Sequence, residues 1–264
     1  MRELDKPARE RLRGLSKENA EIVGAHLVMA GRLLDRDPEL AWKHTQVAVR
    51  RAGRVDVVRE AAGIAAYRTG RYTEALRELR TARRLNGSSE HLPLMADCER
   101  GLGRPSKALE LAASPEARTL TREGRVELAL VVAGARVDMG DLDTALAIFD
   151  RLPQQSGDLA LRVIQAHAGV LEAAERFDEA AALLTGIDED DLERAAGNDL
   201  PDEDIEIFDT VDEELERELE SPELDPEPEA SGRLSQGALR PTVETPAAET
   251  PEPNQPDEPK EDPS

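Results

Sequence analysis

The residues of this 264-residue chain whose types could do chemistry are few: a pair of glycines, four histidines and one cysteine. Gly63 and Gly70 frame the stretch "GIAAYRTGRYTEAL". A phosphate-binding loop needs G-x-x-x-x-G-K-[ST] after a strand, so that backbone N–H groups and the lysine can cradle the phosphates. Here the glycines stand seven apart, Arg71-Tyr72 follows them, and helical apolar spacing surrounds them. The dinucleotide fingerprint fails for the same want of a preceding strand. His26, His44, His91 and His167 show no pairwise spacing of a helical metal site, and none adjoins Cys98. They read as polar residues beside packed helices, with His26 and His167 on first helices where they could border a groove. Cys98, in "MADCERGLG", reads as a small core hydrophobe, because no helix N-terminus or clear basic neighbour would lower its pKa. A lone cysteine also excludes an intrachain disulfide. The run Asp188-Glu189-Asp190-Asp191 lies in a stretch too poor in apolar residues to hold carboxylates in place for acid–base catalysis. No catalytic, cofactor-binding or metal-ligating set is expected, and the chain is read as not an enzyme.

The elements that would position these residues fall into two regions of unlike composition. The net charge is -22, and residues 187–264 alone hold 28 acidic against 5 basic residues and 11 of the 17 prolines. So little apolar surface cannot offset the entropy of ordering, and 187–264 is expected to be a disordered acidic tail. Residues 1–186 are close to neutral and rich in Ala, Leu and Arg. Arginine outnumbers lysine by 29 to 5, the usage of a high-GC bacterial genome. No run of 18 apolar residues indicates a membrane span, and "MRELDKPARERLRGL" lacks a signal-peptide core, so a cytoplasmic protein is expected.

Within 1–186 the stretch around Gly70 is one copy of several. "RDPELAW", "GRYTEAL", "GRPSKAL", "GDLDTAL" and "ERFDEAA" align on Ala41, Ala75, Ala108, Ala145 and Ala180, at spacings of 34, 33, 37 and 35. Apolar residues spaced for a helix precede each turn (Val58, Ala61, Ala62, Ala65, Ala66) and follow it (Ala75, Leu76, Leu79, Ala82, Leu85). Gly63, Ala96 and Ala133 recur seven residues before a turn glycine, where two helices must approach closely. Gly70, Gly103 and Gly140 end the first helix of their hairpins, in the left-handed conformation that costs glycine least. The additional residues between Ala108 and Ala145 fall in "ASPEARTLTREGR", where Ser114-Pro115 reads as a helix start.

This pattern resembles the tetratricopeptide repeat. Gly63, Gly70, Tyr72, Ala75, Leu79 and Ala82 match that family's positions in the second copy, as do Ala133, Gly140, Leu142, Ala145, Phe149 and Leu152 in the fourth. Ala168, Phe177, Ala180 and Leu184 match in the fifth, with Glu175 in place of the turn glycine. The family's early tryptophan is replaced by Arg59 and Leu92, and its closing proline by Gly87. The resemblance implies an all-α fold: a right-handed α-α superhelix of about five hairpins over 22–186, after a helical lead-in over 1–21. It also implies a groove lined by first helices, with Glu60, Ile64, Tyr67, Arg68, Asp97, Arg100, Leu130 and Val137 as partner-binding candidates. Glu60 and Ile64 stand where a carboxylate clamp would need Lys and Asn, so that clamp is not matched.

Charge adds two further candidates. Residues 1–85 carry 19 basic and 12 acidic groups, and Arg80, Arg83 and Arg84 share one face of a second helix. In "DEDIEIFDTVDEELERELE", Ile205, Phe208, Val211, Leu215 and Leu219 recur at helical spacing between Pro201 and Ser221-Pro222. This amphipathic helix over 202–220 is expected to dock on the repeats, either capping the last one or covering the basic half. Thr245 and Thr250 share a Glu-Thr-Pro setting open to a kinase. The expected function is a non-enzymatic adaptor that binds a protein or peptide segment, with no cofactor and no membrane. Nucleic acid is disfavoured, because no aromatic residues accompany the arginines and the tail repels phosphates. The alternative is an accessory subunit that regulates an enzyme or the translation machinery through the basic face.

Overall fold

A computed structural model describes residues 3–196. The 202–220 segment with Ile205, Phe208, Val211, Leu215 and Leu219, and also Thr245 and Thr250, lie outside the described residues. Within them the chain is all-helical, with no strand. α1 (Lys6–Arg11) and a 3-10 turn (Leu12–Gly14) lead into α2 (Lys17–Leu33), α3 (Pro38–Ala52), α4 (Asp56–Arg68) and α5 (Tyr72–Asn86). Then come α6 (Leu92–Gly101), α7 (Pro105–Ala112), a 3-10 turn (Pro115–Thr119), α8 (Arg122–Asp138) and α9 (Leu142–Phe149). α10 (Asp158–Ala173), α11 (Phe177–Leu184) and α12 (Glu189–Ala196) complete the series.

The helix starts follow from residue type. The side chains of Ser16, Asp37, Thr121 and Asp141 accept from backbone N–H groups three residues on, which satisfies one of the four donors a helix start leaves unpaired. Pro38 and Pro105 occupy first positions, where a missing N–H costs nothing. The ends are equally specific. Gly70, Gly103 and Gly140 have φ of 71°, 69° and 76°. Each donates its N–H to the carbonyl three residues back, and the next residue donates to the carbonyl five back, as Arg71 does to Ala66 at 2.8 Å. Glu175 makes the same pair of bonds at φ 60°, the one non-glycine residue among the described ones to hold a positive φ. The hairpin closes there against a left-handed penalty of about 1–2 kcal/mol.

Three- or four-residue turns join α2 to α3, α4 to α5, α6 to α7, α8 to α9 and α10 to α11, and each joined pair packs together as an antiparallel hairpin. Contacts then run to sequence neighbours: α3 to α4, α5 to α6, α7 to α8, α9 to α10. Among the helices that open hairpins, α6 meets α8, and α8 meets α10. The close approach expected at Gly63 is real. A Cβ there would lie 2.6 Å from two side-chain carbons of Leu79 on α5. Leu79 is itself buried with Ala66, Ala75, Leu76, Met95 and Cys98 in the seam between the second and third hairpins. Ala96 and Ala133, at the equivalent places, are also buried.

Three expectations need correction. α2 begins at Lys17, so the first hairpin reaches into the stretch read as lead-in. Ser114 has extended backbone but caps only a five-residue 3-10 turn, without a side-chain bond. The α-helix starts at Arg122, because the chain first turns extended at Leu120 to bury that side chain. Nor is the acidic region without structure from residue 187. Glu189–Ala196 is a helix packed on α10, with Ala195 buried. Three acids in its first turn lie at the positive end of the helix dipole, and Arg194 pairs with Asp191 at 2.7 Å.

Candidate interaction site

The first helices α4, α6 and α8 carry a line of joined polar side chains. Tyr67, near the end of α4, donates its hydroxyl hydrogen bond to Asp97 Oδ2 at 2.5 Å. The other oxygen of Asp97 accepts from Arg100 Nη1 at 2.8 Å. Arg100 turns its remaining edge to Asp138 on α8, with Nε and Nη2 at 2.8 and 3.2 Å from the two carboxylate oxygens. That fork-to-fork geometry is the strong form of a charge-assisted pair. Its fit depends on Gly134. A Cβ at that position would fall 2.4–2.7 Å from the Arg100 guanidinium, so the glycine is the notch through which α6 reaches across α8. Gly101 is a second notch, between α5 and α6, where a Cβ would strike the Tyr72 ring at 2.4–2.7 Å.

Burial and then the Asp97 carboxylate push the Tyr67 hydroxyl well above its ordinary pKa, so it stays a donor at neutral pH. Burial works against the Arg100 charge, but the hydrogen bond to Asp138 and the Asp97 carboxylate outweigh it and hold the group firmly protonated. Every polar atom of Asp97 and Arg100 named above is engaged. The network fixes three consecutive first helices in register and has no carboxylate spare for proton transfer.

The remaining candidates are distributed around this line. Glu60 accepts a 3.0 Å contact from His91 Nε2, and this bond raises the imidazole pKa against the opposing effect of burial. Arg68 pairs with Asp35, beside the first turn. Ile64 is half-buried on the same helix. Leu130 and Val137 are drawn the other way, into the cluster of Ala133, Ala145, Phe149 and Val170 under the fourth and fifth hairpins. Arg80, Arg83 and Arg84 sit apart on α5. Arg80 reaches Glu99 at 2.9 Å and Arg83 reaches Glu116 at 2.6 Å, so both bridge to elements of the following hairpins, while Arg84 donates to Thr81 at 3.2 Å. Glu99 is 3% exposed, and its second oxygen lies 3.6 Å from Arg104. Glu78 is similarly buried between Arg59 at 2.6 Å and Arg77 at 2.9 Å.

Asp138, Gly134, Asp35 and the Glu60–His91 pair were not singled out in the sequence. A mid-helix glycine beside a small-residue position, as at Ala133-Gly134, was the available signal for one of them. His26 and His44, eighteen residues apart, meet across the first hairpin with their Nδ1 atoms 2.8 Å apart, so one must donate and the other accept. Cys98 is buried, and burial together with Asp97 and Glu99 pushes its thiol up to about 12. His167 stacks on Phe149 with centroids 4.5 Å apart, and burial lowers its pKa. Among the described residues no three His, Cys, Asp or Glu side chains gather as metal ligands, and no helix is long and apolar enough to cross a membrane. No protein-family model matches the chain, and no curated protein matches it.

Proposed function

We propose that this chain is a non-enzymatic interaction scaffold, a right-handed superhelix of tetratricopeptide-like hairpins that receives a protein or peptide segment along its first helices. The observation that carries the reading is the Tyr67–Asp97–Arg100–Asp138 line. Tyr67, Asp97 and Arg100 are half-buried and Asp138 is exposed; they come from three successive first helices and fix one another's rotamers, so a surface built on them is already ordered before a partner arrives. Preorganisation of this kind removes some of the entropic cost of binding. Side chains that remain partly accessible beside the line, Glu60, Ile64 and Arg68, would supply selectivity. A cytoplasmic setting goes with this reading.

The test is selection of peptide ligands from a displayed random library, followed by hydrogen-exchange mapping of the complex. Protection confined to residues 60–68, 97–100 and 130–138, and affinity lowered by Arg100→Ala, is the expected result. Protection on α5 around Arg80 and Arg84 would instead point to the regulatory reading through the basic face. That reading is weakened by the ion pairs that already engage Arg80 and Arg83.

A further inference from the structure

The last described hairpin is left with an open face. α11 packs against α10, and of its eight residues only Ala180 is buried. Phe177 is 62% exposed, the most exposed large hydrophobe among the described residues. It shares a helical face with Ala181 and Leu184, at i, i+4 and i+7. Earlier in the chain the same slot is covered. Tyr72, the counterpart of Phe177 in the second hairpin, lies half-buried against Gly101 of the next first helix. The seam that should cover Phe177 is therefore only half built within residues 3–196.

The half that is present is α12. It packs on α10 as α10 packs on α8 and α8 on α6, but, unlike the earlier first helices, it scarcely touches the second helix before it, α11. The sequence after α12 carries signals for a return of the chain. In this chain three or four residues separate the two helices of every hairpin, with a left-handed residue in four of the five turns. After Ala196 come five residues, Gly197 to Pro201, a glycine to turn on and a proline where Pro38 and Pro105 open α3 and α7. Then comes 202–220, with eleven acids and one base outside its stripe of Ile205, Phe208, Val211, Leu215 and Leu219. Such a segment has one side to bury and one to leave in water. Five residues span at most about 18 Å, a reach that favours the neighbouring hairpin over the arginines of α5, several hairpins away.

We propose that residues 202–220 turn back after α12 and dock their apolar stripe on the face of α11 that bears Phe177. This docking does not depend on whether the first helices bind a peptide. It makes the end of the repeat array an acidic surface of the chain's own making, and it answers the need of a terminal repeat for a polar outer face.

Hydrogen exchange on the full-length chain tests it. In the wild type, amides of 205–219 should exchange at least about tenfold more slowly than in an unstructured peptide. Phe208→Asp should return them to the peptide rate. So should Phe177→Asp, at a site exposed enough that the hairpin itself will fold, with unchanged protection in α2 to α7 as the control. The wild-type protection should survive roughly 1 M salt, where charges are screened within about 3 Å. Peptide-rate exchange of 205–219 in the wild type overturns the proposal. So does protection that ignores Phe177→Asp, or protection that disappears in salt or on Arg80→Ala/Arg84→Ala, which would place the segment on the arginine face.

Discussion

Gly63 offers the sharpest test of how the hairpins are held. It lies inside α4 with helical backbone, so an alanine there gains about 1 kcal/mol from intrinsic helix propensity. Against that gain stands the added methyl. Its carbon would sit 2.6 Å from both Cγ and Cδ2 of Leu79 and 3.3 Å from the Leu79 backbone nitrogen. Leu79 is 1% exposed and cannot swing into solvent, so relief requires the seam between α4 and α5 to open. Overpacking of a filled core costs about 1–3 kcal/mol. Gly63→Ala is thus expected to destabilise by about 1 kcal/mol net, and larger residues by more. The control is Gly169, in the middle of α10, where an added methyl would have nothing within 4 Å. Gly169→Ala is expected to stabilise by about 0.5–1 kcal/mol. Urea unfolding followed by circular dichroism would give the two midpoints, which should move in opposite directions. A double-mutant cycle then localises the cause: Leu79→Ala leaves a cavity, and the Gly63→Ala methyl should partly fill it, so the double variant should lose less than the two single losses combined. Equal shifts of the same sign at positions 63 and 169, or strict additivity with Leu79→Ala, would refute the close-approach argument.

Three further outcomes are expected. Glu99→Leu should cost about 1 kcal/mol or less, because Arg80 and Arg104, both half-exposed, return to water; Arg80→Ala/Arg104→Ala strands the buried carboxylate and should cost about 3 kcal/mol, read as urea midpoints. The Glu60 bond raises the folded-state pKa of His91 above its unfolded value near 6.5, so the pair's contribution is complete below that value and is lost as pH rises through the raised one; His91→Gln should flatten the fall in stability over that window, measured as Tm against pH. With its thiol pushed up to about 12 and buried, Cys98 should react with an alkylating agent at pH 8 roughly 10³-fold more slowly than a free thiol, and at the ordinary rate once urea unfolds the chain.

Much of the fold was legible because local rules and packing agree along this chain. The turns at Gly70, Gly103 and Gly140 could be read because a left-handed residue has few ways to be encoded. Glu175 was found by period alone, since nothing about glutamate announces a positive φ. α12 was hidden for the opposite reason. Composition averaged over 187–264 is dominated by charge, and only the pair Leu192 and Ala195 marks a face for α10. Of the site, Tyr67, Asp97 and Arg100 were reached through their repeat positions, but their joining was not. Asp138 lies 38 residues beyond Arg100, and its role depends on the notch at Gly134, a relation between two helices that neither helix shows alone. The arginines of α5 were read as a shared outward face. Their pairing with Glu99 and Glu116 depends on where the following hairpins fall, which a single helix does not disclose.

The packing of each helix mainly against its neighbours in sequence also bears on how the molecule would come apart. Few bonds tie the first hairpin to the fifth, so strain at one end is not shared by the other. A force drawn between the ends would meet the hairpins in turn, and the weakest seam would set the first step. The close fits at Gly101 and Gly134, each between successive hairpins, would act as ratchet teeth, each releasing one hairpin while those behind it hold. A protein built this way can lend a hairpin to local opening and recover it by closing against an intact neighbour, without refolding from the beginning.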